Sequence, residues 1–273
     1  MHKSCKIIEV FLNRGLSLLL ESLPTFMNKK KRQLEVCLTP AIYDKHANNE
    51  NIVVVIDVLR ATSSICTAFA NGVRQIIPVA TVEEARQKKE EGYTVASERD
   101  GYVLDFADFG NSPFNFSGDK VKDKDIVYST TNGTRCIHMA SHSKEVLIGS
   151  FLNLSALAGY LIEQDAPVLL FCASWKDRFS LEDTVCAGAL AERLLASGKY
   201  ESICDAVTAS SDLWSIAKCD LNQYSLKAAQ KGRLASKGLD DCIEFCHQLD
   251  FTDLIPYYSD GRLLSKANGT NKK

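Results

Sequence analysis

Four polar clusters in this chain combine residue types and spacings that could do chemistry on a phosphate. The first is Asp57-Val58-Leu59-Arg60-Ala61-Thr62-Ser63, directly after the run Ile52–Ile56. A carboxylate at a strand end suits Mg²⁺, a hard cation that takes oxygen ligands. The planar fork of Arg60 suits a phosphate or a carboxylate. The plainer role is a turn in which Asp57 opens the loop and Thr62 or Ser63 caps a helix. The second cluster is Thr130-Thr131-Asn132-Gly133-Thr134-Arg135. A glycine permitting close approach, several side-chain donors and the amides of a helix start together make an anion cradle. A strand-to-helix turn would need fewer polar side chains than this segment carries.

The third cluster is split along one long loop, as Ser97-Glu98-Arg99-Asp100-Gly101 and Phe109-Gly110-Asn111-Ser112-Pro113. Its charged groups could close over a polar ligand or could simply be solvated. The fourth is Arg178-Phe179-Ser180-Leu181-Glu182-Asp183. Asp183 follows Ser180 at capping-box spacing. Glu182 and Asp183 could also bring carboxylates to a metal, and Arg178 could hold an anion beside the positive end of a helix dipole.

A fifth pattern competes with these. Cys172 and Arg178 have the C-x5-R spacing of phosphatases in which a thiolate attacks phosphorus and an arginine clamps its oxygens. The spacing arises readily by chance in a chain with ten cysteines. The intervening Ala173-Ser174-Trp175-Lys176-Asp177 contains no glycine and suits a tight anion-wrapping loop poorly. Cys242, Cys246 and His247 lack the second ligand pair of a zinc site. His138 reads as a helix-face residue, and Trp214, Tyr257 and Tyr258 as core or interface.

The elements that must position these clusters alternate. Ile52–Ile56 is continuous and β-branched, as a strand buried on both faces should be. Further strands are expected at 34–38, 75–79, 93–97, 126–129, 146–149 and 168–172, with a last short one at 255–258. Helices are expected at 63–70, after the capping box Thr81-Val82-Glu83-Glu84, up to about Ala140, at 154–163, and from Ser180 to about Ala196. Residues 200–250 read as mainly helical and 266–273 as a polar tail. This order implies a three-layer α/β/α fold with a parallel or mixed sheet and a helical C-terminal portion. In such sheets ligands bind at the carboxyl ends of the strands, where all four clusters fall.

The chain has 273 residues, of which 45% are apolar and 24% charged, with a formal net charge of -2. That balance excludes a surface built broadly for nucleic acid. No apolar run reaches the roughly 18 residues of a membrane span. None of the ten cysteines forms a CxxC pair, which suggests reduced cytoplasmic thiols. Residues 1–32 read as an appendage outside the fold and 33–273 as a single α/β domain. Lys3 and Lys6 before an apolar stretch mimic a signal peptide, but Glu9, Asn13 and Arg14 interrupt it and no small-residue cleavage site follows. Met27, followed by Lys29, Lys30, Lys31 and Arg32, reads as an alternative start.

In one order along residues 33–200, the chain resembles the 2-phosphosulfolactate phosphatase family. The resemblance rests on Leu34-Glu35-Val36-Cys37, Ile56 to Ser63, Glu98-Arg99, Gly110-Asn111-Ser112-Pro113, Thr130 to Arg135, Ser150-Phe151-Leu152-Asn153 and Phe179-Ser180-Leu181-Glu182-Asp183. It implies Mg²⁺-dependent hydrolysis of 2-phosphosulfolactate to sulfolactate and phosphate, within coenzyme M biosynthesis. Two departures touch the expected ligand region: Ser97 stands where a glycine is expected, and Trp175-Lys176-Asp177 replaces a smaller stretch.

Together these readings assign Asp57, Arg60, Glu182 and Asp183 to catalysis and Asp57, Glu98, Glu182 and Asp183 to the metal. Arg60, Arg99, Asn111, Thr130, Thr131, Asn132, Gly133, Thr134, Arg135 and Arg178 are expected around the substrate. The expected partner is a small organic phosphate, with neither nucleic acid nor membrane, and a homodimer is left open. The alternatives are a cysteine enzyme using Cys172 and Arg178, and a non-catalytic anion-sensing domain on the same fold.

Overall fold

The computed structural model describes residues 30–267, and the fold is that of the compact unit beginning at Lys31. Of the expected appendage, residues 1–29 lie outside the described residues. Its last residue belongs to the fold, because Arg32 opens the first strand, β1 (Arg32–Cys37).

The next strand, β2 (Ile52–Ile56), is buried at all five positions. It pairs in parallel with β7 (Glu145–Gly149) and β8 (Val168–Cys172), so that Ile56 lies beside both Gly149 and Cys172. A further parallel set joins β3 (Gln75–Pro78), β4 (Thr94–Arg99) and β6 (Asp125–Ser129). Short strands β5 (Tyr102–Val103) and β9 (Tyr200–Glu201) form the edges of one mixed sheet. Between the two parallel sets lies an antiparallel hairpin, β10 (Leu254–Ser259) and β11 (Arg262–Ala267). β11 is a correction to the sequence reading, which began the polar tail at residue 266. Its sequence, Arg262-Leu263-Leu264-Ser265-Lys266-Ala267, does not alternate polar and apolar, and only its position between β3 and β10 makes it a strand.

Helices cover both faces. Alternate residues of β2 enter different cores: Ile52, Val54 and Ile56 pack in one, Val53 and Val55 in the other. The first core is covered by α4 (Leu154–Glu163), α5 (Leu181–Ala196) and α6 (Asp205–Ala217). A Cβ on Gly188 of α5 would stand 2.0 Å from the Ser210 carbonyl oxygen of α6, so glycine lets these helices meet at backbone distance. α2 (Val82–Glu90) opens with the expected capping box, Thr81 and Glu84 bonding reciprocally.

The other core holds α1 (Ala61–Ala70) and α3 (Gly133–Met139). It takes side chains from β2, β7 and β8 and also from β3, β4 and β6, so the two parallel sets curl towards one another around α1. Accordingly α1 is buried along nine of its ten residues. The curl brings the carboxyl ends of β2, β4, β6 and β8 to one place. The remaining helices, α7 (Leu221–Ser225), α8 (Ala229–Ala235) and α9 (Ile243–Cys246), precede the hairpin.

Candidate active site

The strand ends converge on one cleft that opens to solvent. Its acidic side is lined by Asp57, Glu98, Glu182 and Asp183, all buried. Asp57 leaves β2, and its Oδ1 accepts the Ala61 N–H at 3.3 Å, while its own N–H donates to Thr62 Oγ1 at 3.0 Å. The plainer role of this segment, a capped turn, is therefore real and coexists with a carboxylate facing the cleft. Burial is the main force on Asp57, pushing its pKa up to about 7, and the charges of Glu98 and Glu182 add to it. Burial likewise raises Glu182, and raises Asp183 far above the carboxylate range with help from Glu182 and Asp57.

The four carboxylates divide by what their oxygens already hold. Asp183 accepts the Val58 N–H at 2.9 Å and the Ser174 N–H at 3.0 Å, tying the loop after β2 to the loop after β8. Its own N–H donates to Ser180 Oγ, the cap of α5, at 3.3 Å. Glu98 accepts the Thr131 N–H and hydroxyl on one oxygen and the Gly101 N–H on the other. Asp57 and Glu182 have no such double backbone clamp and are the freer donors.

These donors fit Mg²⁺ in chemistry: they are hard oxygens, buried and close enough for Asp57, Glu98, Glu182 and Asp183 to act on one another. Among the described residues no three His, Cys, Asp or Glu side chains are arranged to hold a metal by themselves. Mg²⁺ does not require such a cage, because it takes one or two carboxylates and completes its octahedron with water and substrate phosphate.

Cations line the same cleft. Arg60 is 5% exposed and lines the cleft. Behind it, Cys242 is held at about 7, first by a hydrogen bond with Cys246 and then by the charge of Arg60. The other cations come from α8 and the turn after it, which the sequence reading did not single out. Gln230, Arg233 and Lys237 all line the cleft. Gln230 donates to the Leu59 carbonyl at 3.0 Å and accepts from Arg233 Nε at 2.7 Å. The Arg233 guanidinium lies 5.0 Å from the centroid of the Trp175 ring. Lys237 donates to the Asp100 carbonyl and sits over Tyr102. The one signal for them was their i, i+3, i+7 spacing, which a solvated helix face shares.

Of the residues expected around the substrate, Arg60, Asn111 and Asn132 line the cleft. Asn111 accepts from the Tyr128 hydroxyl. The rest of the expected cradle is turned to other work. Thr130 and Thr134 exchange hydrogen bonds within their own turn. Thr131 serves Glu98, and Gly133 packs against Ala61 and the Asp57 carboxylate. Arg135 reaches Asp177 at the surface, at 3.0 Å. Arg99 donates to the Glu98 carbonyl and Ser129 Oγ, and exposed Arg178 pairs its backbone with Trp175.

The cysteine alternative fits poorly. Cys172 is fully buried in the core, and burial holds its thiol well above the ordinary range. The loop to Arg178 closes on itself through Trp175 and Arg178 instead of pointing amides at a ligand. Cys242, Cys246 and His247 also make no metal site; the His247 ring bonds Asn222 at 2.9 Å.

This cleft, in which hard carboxylates and Arg60 meet at strand ends, lies within residues 37–261, which match the profile of 2-phosphosulpholactate phosphatase. The chain belongs to that family. A Thermotoga maritima protein named as a probable 2-phosphosulfolactate phosphatase is 39% identical over 213 residues, 78% of this chain and 91% of its own length. A Clostridium novyi protein with the same name is 37% identical over 209 residues, 76% of this chain and 88% of its own. Membership makes the chain an enzyme of the phosphoric monoester hydrolase class. Among the described residues no helix is long and apolar enough to cross a membrane.

Proposed function

We propose that this enzyme hydrolyses 2-phosphosulfolactate, or a closely similar acidic phosphate ester, to sulfolactate and phosphate with Mg²⁺ held by Asp57 and Glu182. The observation that carries this reading is the meeting of buried carboxylates with Arg60 and Arg233 in one cleft of a chain from this family. Unaided phosphate-monoester hydrolysis is among the slowest reactions known, so neutralising charge at the phosphoryl group is the main task. Bound Mg²⁺ supplies that neutralisation.

The remaining work belongs to the chain. Water attacks phosphorus, the ester P–O bond breaks, and the alcohol oxygen leaves with a proton. Asp57 and Glu182 are the carboxylates with oxygen left to give. Asp183 and Glu98 hold the loops after β2, β8, β4 and β6 in register around them. Arg60, buried beside the acidic side, binds an oxyanion of the substrate. The nine cysteines among the described residues are free thiols, which supports a reducing, cytoplasmic setting.

Phosphate release from a panel of small phosphoesters tests the reading. EDTA should abolish activity and added Mg²⁺ restore it. Cys172→Ser should keep at least about a third of the rate, a change under about 0.7 kcal/mol in the barrier. Full activity in excess EDTA with a folded but inactive Cys172→Ser would identify a cysteine enzyme. Tight binding of organic phosphates without turnover would identify an anion sensor.

A further inference from the structure

The proposed reaction needs a place for each anionic group of its substrate, and the cleft is divided in a way that distinguishes them. The carboxylates and Arg60 belong to its buried side. Arg233 and Lys237 stand on a separate element, α8 and the turn that follows it, and are only partly buried. Neither meets a carboxylate within salt-bridge distance among the described residues. Arg233 is nevertheless fixed: Gln230 holds its Nε, Trp175 lies against its guanidinium, and burial works against its charge, opposed only by Glu182 at longer range. Gln230 in turn is anchored to the Leu59 carbonyl, beside Arg60. A held guanidinium whose terminal nitrogens have no partner among the described residues, in a cleft that Lys237 also lines, is an oxyanion site.

We propose that Arg233, with Lys237, is the subsite for the sulfonate of the substrate, while Arg60 takes the carboxylate. This rests on the function proposed above. In 2-phosphosulfolactate the phosphate oxygen and the carboxylate share one carbon, so the carboxylate stays close to the phosphate and suits the buried Arg60. The sulfonate is one carbon further out and reaches the partly exposed wall. It presents three equivalent, permanently charged oxygens, which a guanidinium fork and an ammonium can share. Gln230 and Trp175 are positioning residues for Arg233.

The test compares 2-phosphosulfolactate with 2-phospholactate, which lacks only the sulfonate, in wild type and Arg233→Met. Methionine keeps an apolar stem against Trp175. The ratio of kcat/KM for the two substrates should fall about tenfold to a hundredfold, as expected for loss of a charge-assisted contact, mainly through KM for the sulfonate. Arg233→Lys should recover part of it. Calorimetric binding of sulfolactate, with lactate as control, reads the subsite without turnover and should weaken in Arg233→Met. An unchanged substrate ratio, or sulfolactate binding that ignores Arg233→Met, overturns the subsite. If wild type hydrolyses neither ester but binds sulfolactate through Arg233, the subsite stands and the proposed reaction fails.

Discussion

The turn Thr130–Arg135 and the segment Gln230–Lys237 contrast in a way that bears on reading any such chain. In sequence the turn has the make-up of an anion cradle, and in the structure it is mostly a piece of joinery. Its threonines close their own turn, its glycine makes room for Asp57, and its arginine faces out. The segment Gln230–Lys237 has the make-up of a solvated helix, yet it supplies two of the cations of the cleft. Local motifs satisfy local hydrogen bonds first. A cleft is completed by whatever the tertiary fold carries across its mouth.

The largest effect expected separates the two sides of the cleft. Asp57→Asn keeps the acceptor for the Ala61 N–H but removes a buried charge. Activity should fall about a hundredfold to a thousandfold, roughly 3–4 kcal/mol in the barrier. The same change relieves repulsion from Glu98 and Glu182, so at pH 8 in EDTA the variant should melt higher than wild type. A variant that loses activity and also melts lower would make Asp57 a structural residue and leave the wall as the functional half.

Legibility followed the same division. β2 could be read because five buried apolar residues in a row leave few alternatives, and Asp57 at its end followed at once. The capping box at Thr81 and the caps at Ser180 are local and were equally visible. The pairing of β11 with β3 and the closure of α8 over the cleft depend on contacts distant in sequence. Nothing within Ala229–Ala235 or Arg262–Ala267 encodes them on its own. The roles of Asp183 and Glu98 as clamps were hidden for the same reason, since each holds amides from other loops.

The wall stands on a C-terminal segment whose packing can be tested by pH. His247, at the end of α9, is buried; burial lowers its pKa to about 4, and its Nε2 has no hydrogen-bond partner among the described residues. Unfolded, it would titrate near 6.5. Between these pH values the unfolded chain binds a proton that the folded chain refuses, so stability falls as the solution is acidified. The contribution is complete above pH 6.5 and is lost as pH falls to about 4, about 3 kcal/mol in all. Urea unfolding at pH 7.5 and 4.5 should show this loss in wild type and less of it in His247→Gln. Equal pH dependence in both proteins would mean that this segment opens readily, and a wall built on it could not hold Arg233 rigidly.

The smallest effect expected returns to the turn. Arg135 and Asp177 form an ion pair at 3.0 Å, with side chains 49% and 40% exposed. Such pairs contribute about 0–1 kcal/mol, because water screens the charges and two long side chains must be ordered. The Arg135 backbone lies within α3, whose start is fixed by Thr130 and Thr134, so alanine leaves the turn intact. Arg135→Ala should therefore change kcat/KM for the phosphoester less than about threefold, under about 0.7 kcal/mol, and stability by no more than the pair itself. The measurement is asymmetric in what it can say. A null result agrees with a turn that only supports Asp57 and Glu98. A tenfold loss, with stability unchanged, would mean that Arg135 leaves Asp177 and swings to the substrate, and the segment with the make-up of a cradle would be one in the liganded enzyme.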